Sequence, residues 1–221
     1  MTSGDRTSEF FDSYARGFDA IYGTRNSYVN RIVNRWLRKS MMIRYRKTID
    51  GCDPIDGRTV IDVGCGPGHY GIALAGKGAG YVLGIDFAEG MIGLAHEYAR
   101  RAGVSAKCEF VYGDFMTYEA DRKFDYSILM GFMDYVADPR QVVEKAIAVT
   151  GSKAFFSFPA DGGLLSWQRK LRYRRRCDLY LYAPDSIKKV FAGIAGVSVN
   201  IEKIARDYFV TASIDSDGLE R

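Results

Sequence analysis

The sequence contains few of the residues that build disulfide frameworks and metal centres. Its 221 residues include only four cysteines and two histidines. The cysteines are Cys52, Cys65, Cys108 and Cys177, and they lie too far apart for a C-x-x-C pair. None of them forms a metal-ligand pattern with either histidine. We therefore expect a reduced, cytoplasmic protein without a structural metal.

Long hydrophobic segments are also missing. No apolar run approaches the roughly 18 residues of a membrane-spanning helix, and Met1–Arg6 lacks the apolar stretch of a signal peptide. The formal net charge of +4 is small and favours no particular partner. A hydrophobic content of 47% is ample for a core, so the length predicts one domain with an appended element.

Glycine, in contrast, is concentrated in one informative stretch, residues 59–75. Val60, Ile61 and Val63 predict a buried strand, and the apolar residues after position 71 predict a helix. The turn between them carries glycines at positions 64, 66 and 68. Such a turn can adopt positive φ and bring bare backbone against a ligand, at the positive end of the helix that follows.

Two interpretations of this glycine turn compete. Gly66–Gly71 matches the dinucleotide fingerprint G-x-G-x-x-G, and Asp86 lies 86 − 62 = 24 residues after Asp62, near the spacing of a ribose-binding acid. Asp62, however, places a carboxylate directly before the glycines. A pyrophosphate would be repelled there, whereas an ammonium group would be held, so Asp62 favours a ligand that carries an amine.

These motifs resemble those of class I S-adenosylmethionine-dependent methyltransferases. Asp62–Gly68 resembles the first motif of the family, Gly84–Met91 its second strand, Gly113–Phe115 its adenine-reading turn and Phe124–Met130 its fourth strand. The resemblance implies S-adenosylmethionine as cofactor and S-adenosylhomocysteine as product. It implies that Asp86 binds both ribose hydroxyls. The implied cofactor-binding residues are Asp62, Gly64, Cys65, Gly66, Gly68, Asp86, Phe87, Met91, Gly113, Asp114, Phe115 and Met130.

The chain from Thr59 onward alternates strand and helix, which predicts a mostly parallel, Rossmann-like sheet with helices on both faces. We expect seven strands, near 59–63, 80–85, 107–112, 124–129, 152–157, 196–203 and 207–214. We expect helices near 69–77, 88–102, 138–149 and 184–193. The last two strands should form an antiparallel hairpin, and the resemblance implies the strand order 3-2-1-4-5-7-6.

Residues 1–50 are predicted to form a helical extension of the domain at 51–221. Phe10, Phe11, Tyr14 and Phe18 recur at helical spacing, and a second helix is predicted from Tyr28 to about position 50. One interpretation packs both helices on the sheet and leaves a solvated basic face. The other makes the aromatic helix a lid over the acceptor, with Tyr14 near the cofactor and Tyr22 a candidate catalytic residue.

A basic insertion, residues 170–182, is predicted after the fifth strand. Arginines and a lysine crowd positions 169–176 around aromatic residues. This run fits a solvated face, or a contact with an anionic substrate, an acidic carrier protein or a membrane surface. Nucleic acid is an unlikely partner because no RNA-binding module is recognisable elsewhere. The oligomeric state is not indicated.

A narrower resemblance is to the magnesium-protoporphyrin O-methyltransferase branch. It is carried by Phe11–Arg31, Phe156–Pro159 and the Tyr180-x-Tyr182 pattern. Where that branch has a histidine after the fourth strand, this chain has Asp134-Tyr135.

The resemblance implies O-methylation of a small molecule. Methyl transfer requires the nucleophile in line with the methyl at about 3 to 3.5 Å, so geometry matters most. Asp134 follows the fourth strand, at the edge of the sheet where the methyl group should lie. It is therefore the candidate for orienting or deprotonating an acceptor hydroxyl. The alternative is that Asp134 is an ordinary surface residue of a loop. A non-catalytic scaffold or regulatory subunit, an RNA methyltransferase and an NAD-dependent oxidoreductase remain open alternatives.

Overall fold

The computed structural model describes residues 28–162 and 179–215. The helices are α1 (Tyr28–Gly51), α2 (His69–Gly76), α3 (Glu89–Arg101), α4 (Pro139–Ala148) and α5 (Pro184–Phe191). The strands are β1 (Thr59–Val63), β2 (Tyr81–Asp86), β3 (Cys108–Tyr112), β4 (Phe124–Leu129), β5 (Thr150–Pro159), β6 (Val197–Ile204) and β7 (Asp207–Ile214). Short 3-10 helices cover Ser105–Lys107 and Met133–Tyr135.

The strands form one seven-stranded sheet in the order β3-β2-β1-β4-β5-β7-β6. The first five strands pair in parallel, whereas β7 pairs antiparallel with both β5 and β6. This confirms the predicted Rossmann-like fold, its strand order and its closing hairpin. Because the first five strands run the same way, the turns after β1, β2, β3 and β4 meet at one carboxyl edge of the sheet.

Both faces of the sheet are covered, and the central strands β1, β2 and β4 are buried at nearly every position. On one face, Phe156 and Phe158 pack with Ile187 and Phe191 of α5. On the other face, Tyr126, Phe155 and Phe209 pack with residues of α1 and α2, including Ile49 and Leu74. Helix α1 is therefore part of this second layer.

Helix α1 buries a charge that the sequence pattern places on a solvated face. The Arg44 side chain is 13% exposed and lies 3.8 Å from the Asp207 carboxylate. The prediction of a solvated basic face is therefore wrong at Arg44, because Asp207 at the start of β7 compensates its charge. Lys47, two-fifths exposed, pairs with Glu202 at 2.8 Å.

The observed element boundaries differ little from the predicted ones. Strand β5 is longer than predicted, since it continues to Pro159 by pairing with Asp207 of β7. The 3-10 helix Ser105–Lys107 occupies the position predicted as the start of β3. The predicted aromatic helix before position 23 and the basic run 169–176 lie outside the described residues.

Across 28–162 and 179–215, no helix has the length and apolarity to cross a membrane. The same residues contain no cluster of three or more potential metal-binding side chains.

Candidate active site

The glycine turn after β1 lies at the carboxyl edge and is tied to the neighbouring strand. The N–H groups of Gly64 and Cys65 both donate to the Ile85 carbonyl oxygen of β2, at 2.8 and 3.1 Å. Gly64, Gly66 and Gly68 have φ values of 65°, 53° and 77°, a region that favours glycine. A Cβ added at Gly66 would have no atom within 4 Å, so this backbone borders open space.

The flanking glycines of the turn are closely packed by contrast. A Cβ added at Gly64 would lie 2.7 Å from the Phe132 ring, and one at Gly68 would lie 2.9 Å from the Phe110 ring. The turn is thus held by aromatic rings on either side of Gly66. Close packing and positive φ both favour glycine at positions 64 and 68, whereas positive φ alone favours it at position 66.

Asp62 is the penultimate residue of β1, and its side chain is almost completely buried. Asp62 as a whole is 1% exposed, and its Oδ2 has no hydrogen-bond partner among the described residues. Burial raises the pKa of this carboxyl to about 7, opposed by the Gly71 N–H and reinforced by the Asp86 charge. A buried carboxylate oxygen without a partner is costly, and a cationic ligand would remove that cost.

Asp86 ends β2 and faces the same turn. Its Oδ2 accepts from the Gly66 N–H at 2.8 Å, and its Oδ1 accepts from the Ala88 N–H at 2.9 Å. Its backbone oxygen accepts from the Gly113 N–H at 2.9 Å, which links the turn after β3. The structure therefore brings Asp62, Gly66, Asp86 and Gly113 together, as the sequence motifs predict.

The turn after β3 presents its two predicted residues differently. Asp114 is exposed, and its Oδ1 accepts from the Met116 N–H at 2.9 Å. The Phe115 ring is 3% exposed and packs in the core, with Lys145 Nζ 5.3 Å from the ring centroid. A ligand at this turn would therefore meet the Asp114 side chain rather than the Phe115 ring.

The other predicted cofactor-binding side chains are buried or partly buried. Cys65 is 7% exposed and Met91 is 3% exposed, while Phe87 and Met130 are half-buried. A Cβ added at Gly84 would lie 2.9 Å from the Cys65 sulfur, so Cys65 fills space beside β2. Tyr14 and Tyr22 lie outside the described residues.

Asp134 lies in the 3-10 helix after β4 and is 5% exposed. The alternative of a surface loop residue is therefore wrong. The returning chain packs against it: Tyr180 N–H donates to the Asp134 carbonyl at 2.9 Å, and Tyr182 Oη lies 3.3 and 3.2 Å from the Met133 and Val136 carbonyls. Burial raises the pKa of Tyr182 above its usual range, and the nearby Asp134 charge raises it further.

Comparison with known proteins agrees with this geometry. Residues 55–158 match the protein family described as "Methyltransferase domain". The matched region contains β1 to β4, most of β5 and every predicted cofactor-binding residue except Tyr14. Residues 55–158 are thus similar to a methyltransferase domain, and the name methyltransferase domain is used below for this stretch.

Curated relatives of the methyltransferase domain share about one residue in three with it. The Ubiquinone biosynthesis O-methyltransferase of Paraburkholderia phytofirmans is 32% identical over 113 residues, 50% of this chain and 48% of that protein. The protein of that name from Paracidovorax citrulli is 37% identical over 112 residues, 49% of this chain and 47% of that protein. The match thus spans about half the length of the curated relatives.

The similarity to known folds extends beyond residues 55–158. The crystal structure of magnesium protoporphyrin IX methyltransferase from Synechocystis PCC 6803 with bound SAH aligns with a TM-score of 0.72 at 21% identity. That alignment covers 94% of this chain and 98% of the other. At this identity the likeness establishes a shared fold.

The methyltransferase domain has polar residues at this edge that the sequence motifs miss. Ser157 near the end of β5 is 1% exposed, and its Oγ accepts from the Gly131 N–H at 2.7 Å and from Arg44 at 3.1 Å. Ser40 Oγ donates to Asp207 Oδ2 at 2.8 Å. The sequence points to Ser157 only by placing a serine in the otherwise apolar run Phe155–Phe158. Its bonding partners lie far along the chain, so they could not be predicted.

Proposed function

We propose that the chain is an S-adenosylmethionine-dependent methyltransferase that methylates an oxygen atom of a small molecule. One observation carries the proposal: the open backbone of Gly66, in the turn after β1, lies next to the Asp86 carboxylate, and the buried Oδ2 of Asp62 in β1 has no partner among the described residues. The names of the curated relatives, O-methyltransferases at 32 to 37% identity over about half their length, support the same chemistry.

The residues fit this cofactor better than a dinucleotide. An ammonium group paired with Asp62 would supply the partner that Oδ2 lacks, whereas a pyrophosphate there would meet two negative charges, Asp62 and Asp86. Asp86 would bind the ribose hydroxyls, and Asp114 together with Phe115 would contact the adenine. Gly64, Cys65, Gly68, Phe87, Met91, Gly113, Met130 and Tyr14 complete the proposed cofactor site.

The protein's contribution to the reaction would be positioning and exclusion of water. When bound, the cofactor supplies a methyl group on a sulfonium, which is already a good leaving group. The chain must hold the acceptor oxygen in line with that methyl, at about 3 to 3.5 Å. Asp134, buried in the turn after β4, would orient the acceptor hydroxyl or take its proton, with Tyr22 as a second candidate.

The proposal includes the parts of the chain outside the described residues. Residues 1–50 would form the extension, with the aromatic helix as a lid, and 51–221 the catalytic domain. The basic run 169–176 would contact an anionic or carrier-bound acceptor or a membrane surface. A porphyrin-like acceptor and a cytoplasmic location complete the proposal.

Two measurements on the wild-type protein test the function. Isothermal titration calorimetry should detect binding of S-adenosylhomocysteine and no binding of NADH. Transfer of labelled methyl from S-adenosylmethionine should then be detected with a panel of hydroxylated small molecules. Binding of NADH alone would overturn the proposal, and cofactor binding without transfer to any member of the panel would favour the scaffold alternative.

A pair of glycine variants tests the cofactor position. Gly66 and Gly57 both have positive φ, 53° and 68°, both have open space where a Cβ would go, and both donate one hydrogen bond. Alanine should therefore cost about 1 kcal/mol of stability at either position. Gly57 precedes β1, at the opposite edge of the sheet, so only Gly66→Ala should weaken S-adenosylhomocysteine binding, at least about tenfold, since its methyl takes ligand space.

Urea unfolding and calorimetry on the two variants separate these effects. Equal losses of affinity would show that backbone strain rather than ligand contact is responsible, and would argue against a ligand at Gly66.

A further inference from the structure

A buried hydroxyl, that of Ser157, bonds to the turn between β4 and the 3-10 helix Met133–Tyr135. Gly131 has a φ of 76°, and its N–H donates to Ser157 Oγ at 2.7 Å. The β4–β5 register pairs Leu129 with Phe156, so Met130, the first residue after β4, lies beside Ser157 of β5. The hydrogen bond from Gly131 to Ser157 therefore fixes the position of the turn that follows β4.

The same turn presses on the glycine turn of the cofactor site. Phe132 directly follows Gly131, and its ring leaves no room for a Cβ at Gly64, which would lie 2.7 Å from Cδ2. Gly64 in turn is bonded to the Ile85 carbonyl, next to Asp86. A shift of the turn after β4 would therefore move the ring that packs against the glycine turn.

Arg44 of α1 reaches the same hydroxyl from outside the sheet. One of its terminal nitrogens donates to Ser157 Oγ at 3.1 Å and lies 3.8 Å from Asp207 Oδ2. Asp207 is 1% exposed and also accepts from Ser40 Oγ of α1, at 2.8 Å. The buried Arg44 Nε has no partner among the described residues, so the guanidinium is held mainly through Ser157 and Asp207.

We infer that Ser157 and Arg44 are positioning residues for the cofactor site: they hold the turn after β4 so that Phe132 fixes the glycine turn. This inference rests on the proposed function for its ligand. Because Arg44 lies in α1, this helix would help to position the cofactor site although it precedes the matched region 55–158. Neither side chain is assigned a contact with the cofactor or the acceptor, so both act through Gly131 and Phe132.

The key variant is Ser157→Ala, with Ser127→Ala as its matched control. Ser127 is also completely buried in the same sheet, but its hydroxyl bonds to Thr150 at the start of β5, away from the turn. Both variants should lower the thermal midpoint. Only Ser157→Ala should weaken S-adenosylhomocysteine binding, by about tenfold, and accelerate amide exchange at Gly131 in the ligand-free protein by a similar factor, the effect of one hydrogen bond.

Arg44→Met provides the second test. It should accelerate exchange at Gly131 as well, and the double variant with Ser157→Ala should exchange no faster than Ser157→Ala alone, because both act through one hydroxyl. If Ser157→Ala does not fold, Ser157→Cys keeps a weaker acceptor at the same place and replaces it in each comparison.

Wild-type affinity in Ser157→Ala, or an equal loss in Ser127→Ala, would overturn the inference. Fully additive effects of Ser157→Ala and Arg44→Met would also contradict it. Failure of the wild-type protein to bind S-adenosylhomocysteine would instead count against the proposed function, while the exchange measurement on ligand-free protein would still test the positioning.

Discussion

Asp86→Ala is expected to weaken S-adenosylhomocysteine binding by at least about 2 kcal/mol, roughly thirtyfold, because charged hydrogen bonds to two ribose hydroxyls are lost. The substitution also removes the acceptor of the Gly66 N–H, which holds the glycine turn. The first effect acts on the bound state, whereas the second loosens the glycine turn already in the free protein. Isothermal titration calorimetry on the variant and the wild type measures the difference directly.

Asp125→Ala is the matched control for this prediction. Its Oδ2 accepts from the Thr59 N–H and hydroxyl at 2.8 and 2.9 Å, at the beginning of β1 and on the opposite edge of the sheet from Asp86. This variant should lose stability yet bind S-adenosylhomocysteine as the wild type does. If Asp125→Ala loses affinity to the same extent as Asp86→Ala, the ligand does not bind where we place it.

Asp62 should make both stability and cofactor affinity depend on pH. The pKa of its carboxyl is raised by burial from 3.8 to about 7 in the folded protein, whereas the unfolded chain keeps the ordinary value. Between these values the unfolded state loses the proton and the folded state retains it. The contribution of Asp62 to the free energy of unfolding is therefore fully present below about pH 4 and declines as the pH rises to about 7.

The size of this decline is a few kcal/mol, since each pH unit in the interval contributes up to about 1.4 kcal/mol. Asp62→Asn removes the titrating group and keeps the shape of the side chain. The difference in unfolding free energy between wild type and Asp62→Asn should fall across the interval from pH 4 to pH 7. Urea unfolding at several pH values measures it, and a difference that is constant with pH would show that Asp62 does not titrate in this range.

The ligand should respond with the opposite sign. An ammonium group pairs with the ionised carboxylate, so S-adenosylhomocysteine binding should displace the proton and strengthen as the pH rises from 5 to 7. Calorimetry in buffers of different ionisation enthalpy should detect release of about one proton near the lower end of this range. In Asp62→Asn neither proton release nor the pH dependence should remain. Proton release that persists in that variant would assign it to another group.

The sheet was predictable because its signals are local. Short apolar runs bounded by polar residues or glycine predict the strands, so the predicted boundaries of β1, β4 and β7 agree with the structure. The strand order, in contrast, followed from the resemblance of the motifs to a known family. The meeting of Asp62 and Asp86 at one edge then follows from parallel strands.

What the sequence did not predict depends on partners far along the chain. Ser157 and Arg44 are 113 residues apart, and only the folded sheet shows that a serine hydroxyl and an arginine meet. Likewise, the burial of Asp134 depends on the chain near Tyr180 returning over the turn after β4. Composition and periodicity carry no information about such contacts, so Arg44 was placed on the wrong side of its helix.

The long sequence separation between α1 and β7 affects when their contacts can form during synthesis of the protein. Ser40 and Asp207 are 167 residues apart, so α1 is synthesised well before β7 and its contacts with Asp207 can form only after β7 has been made. Until then Arg44 has no carboxylate to balance it. A nascent chain that stalls before β7 would therefore leave these contacts of α1 unmade, and α1 is fixed in place only when the β6–β7 hairpin is complete.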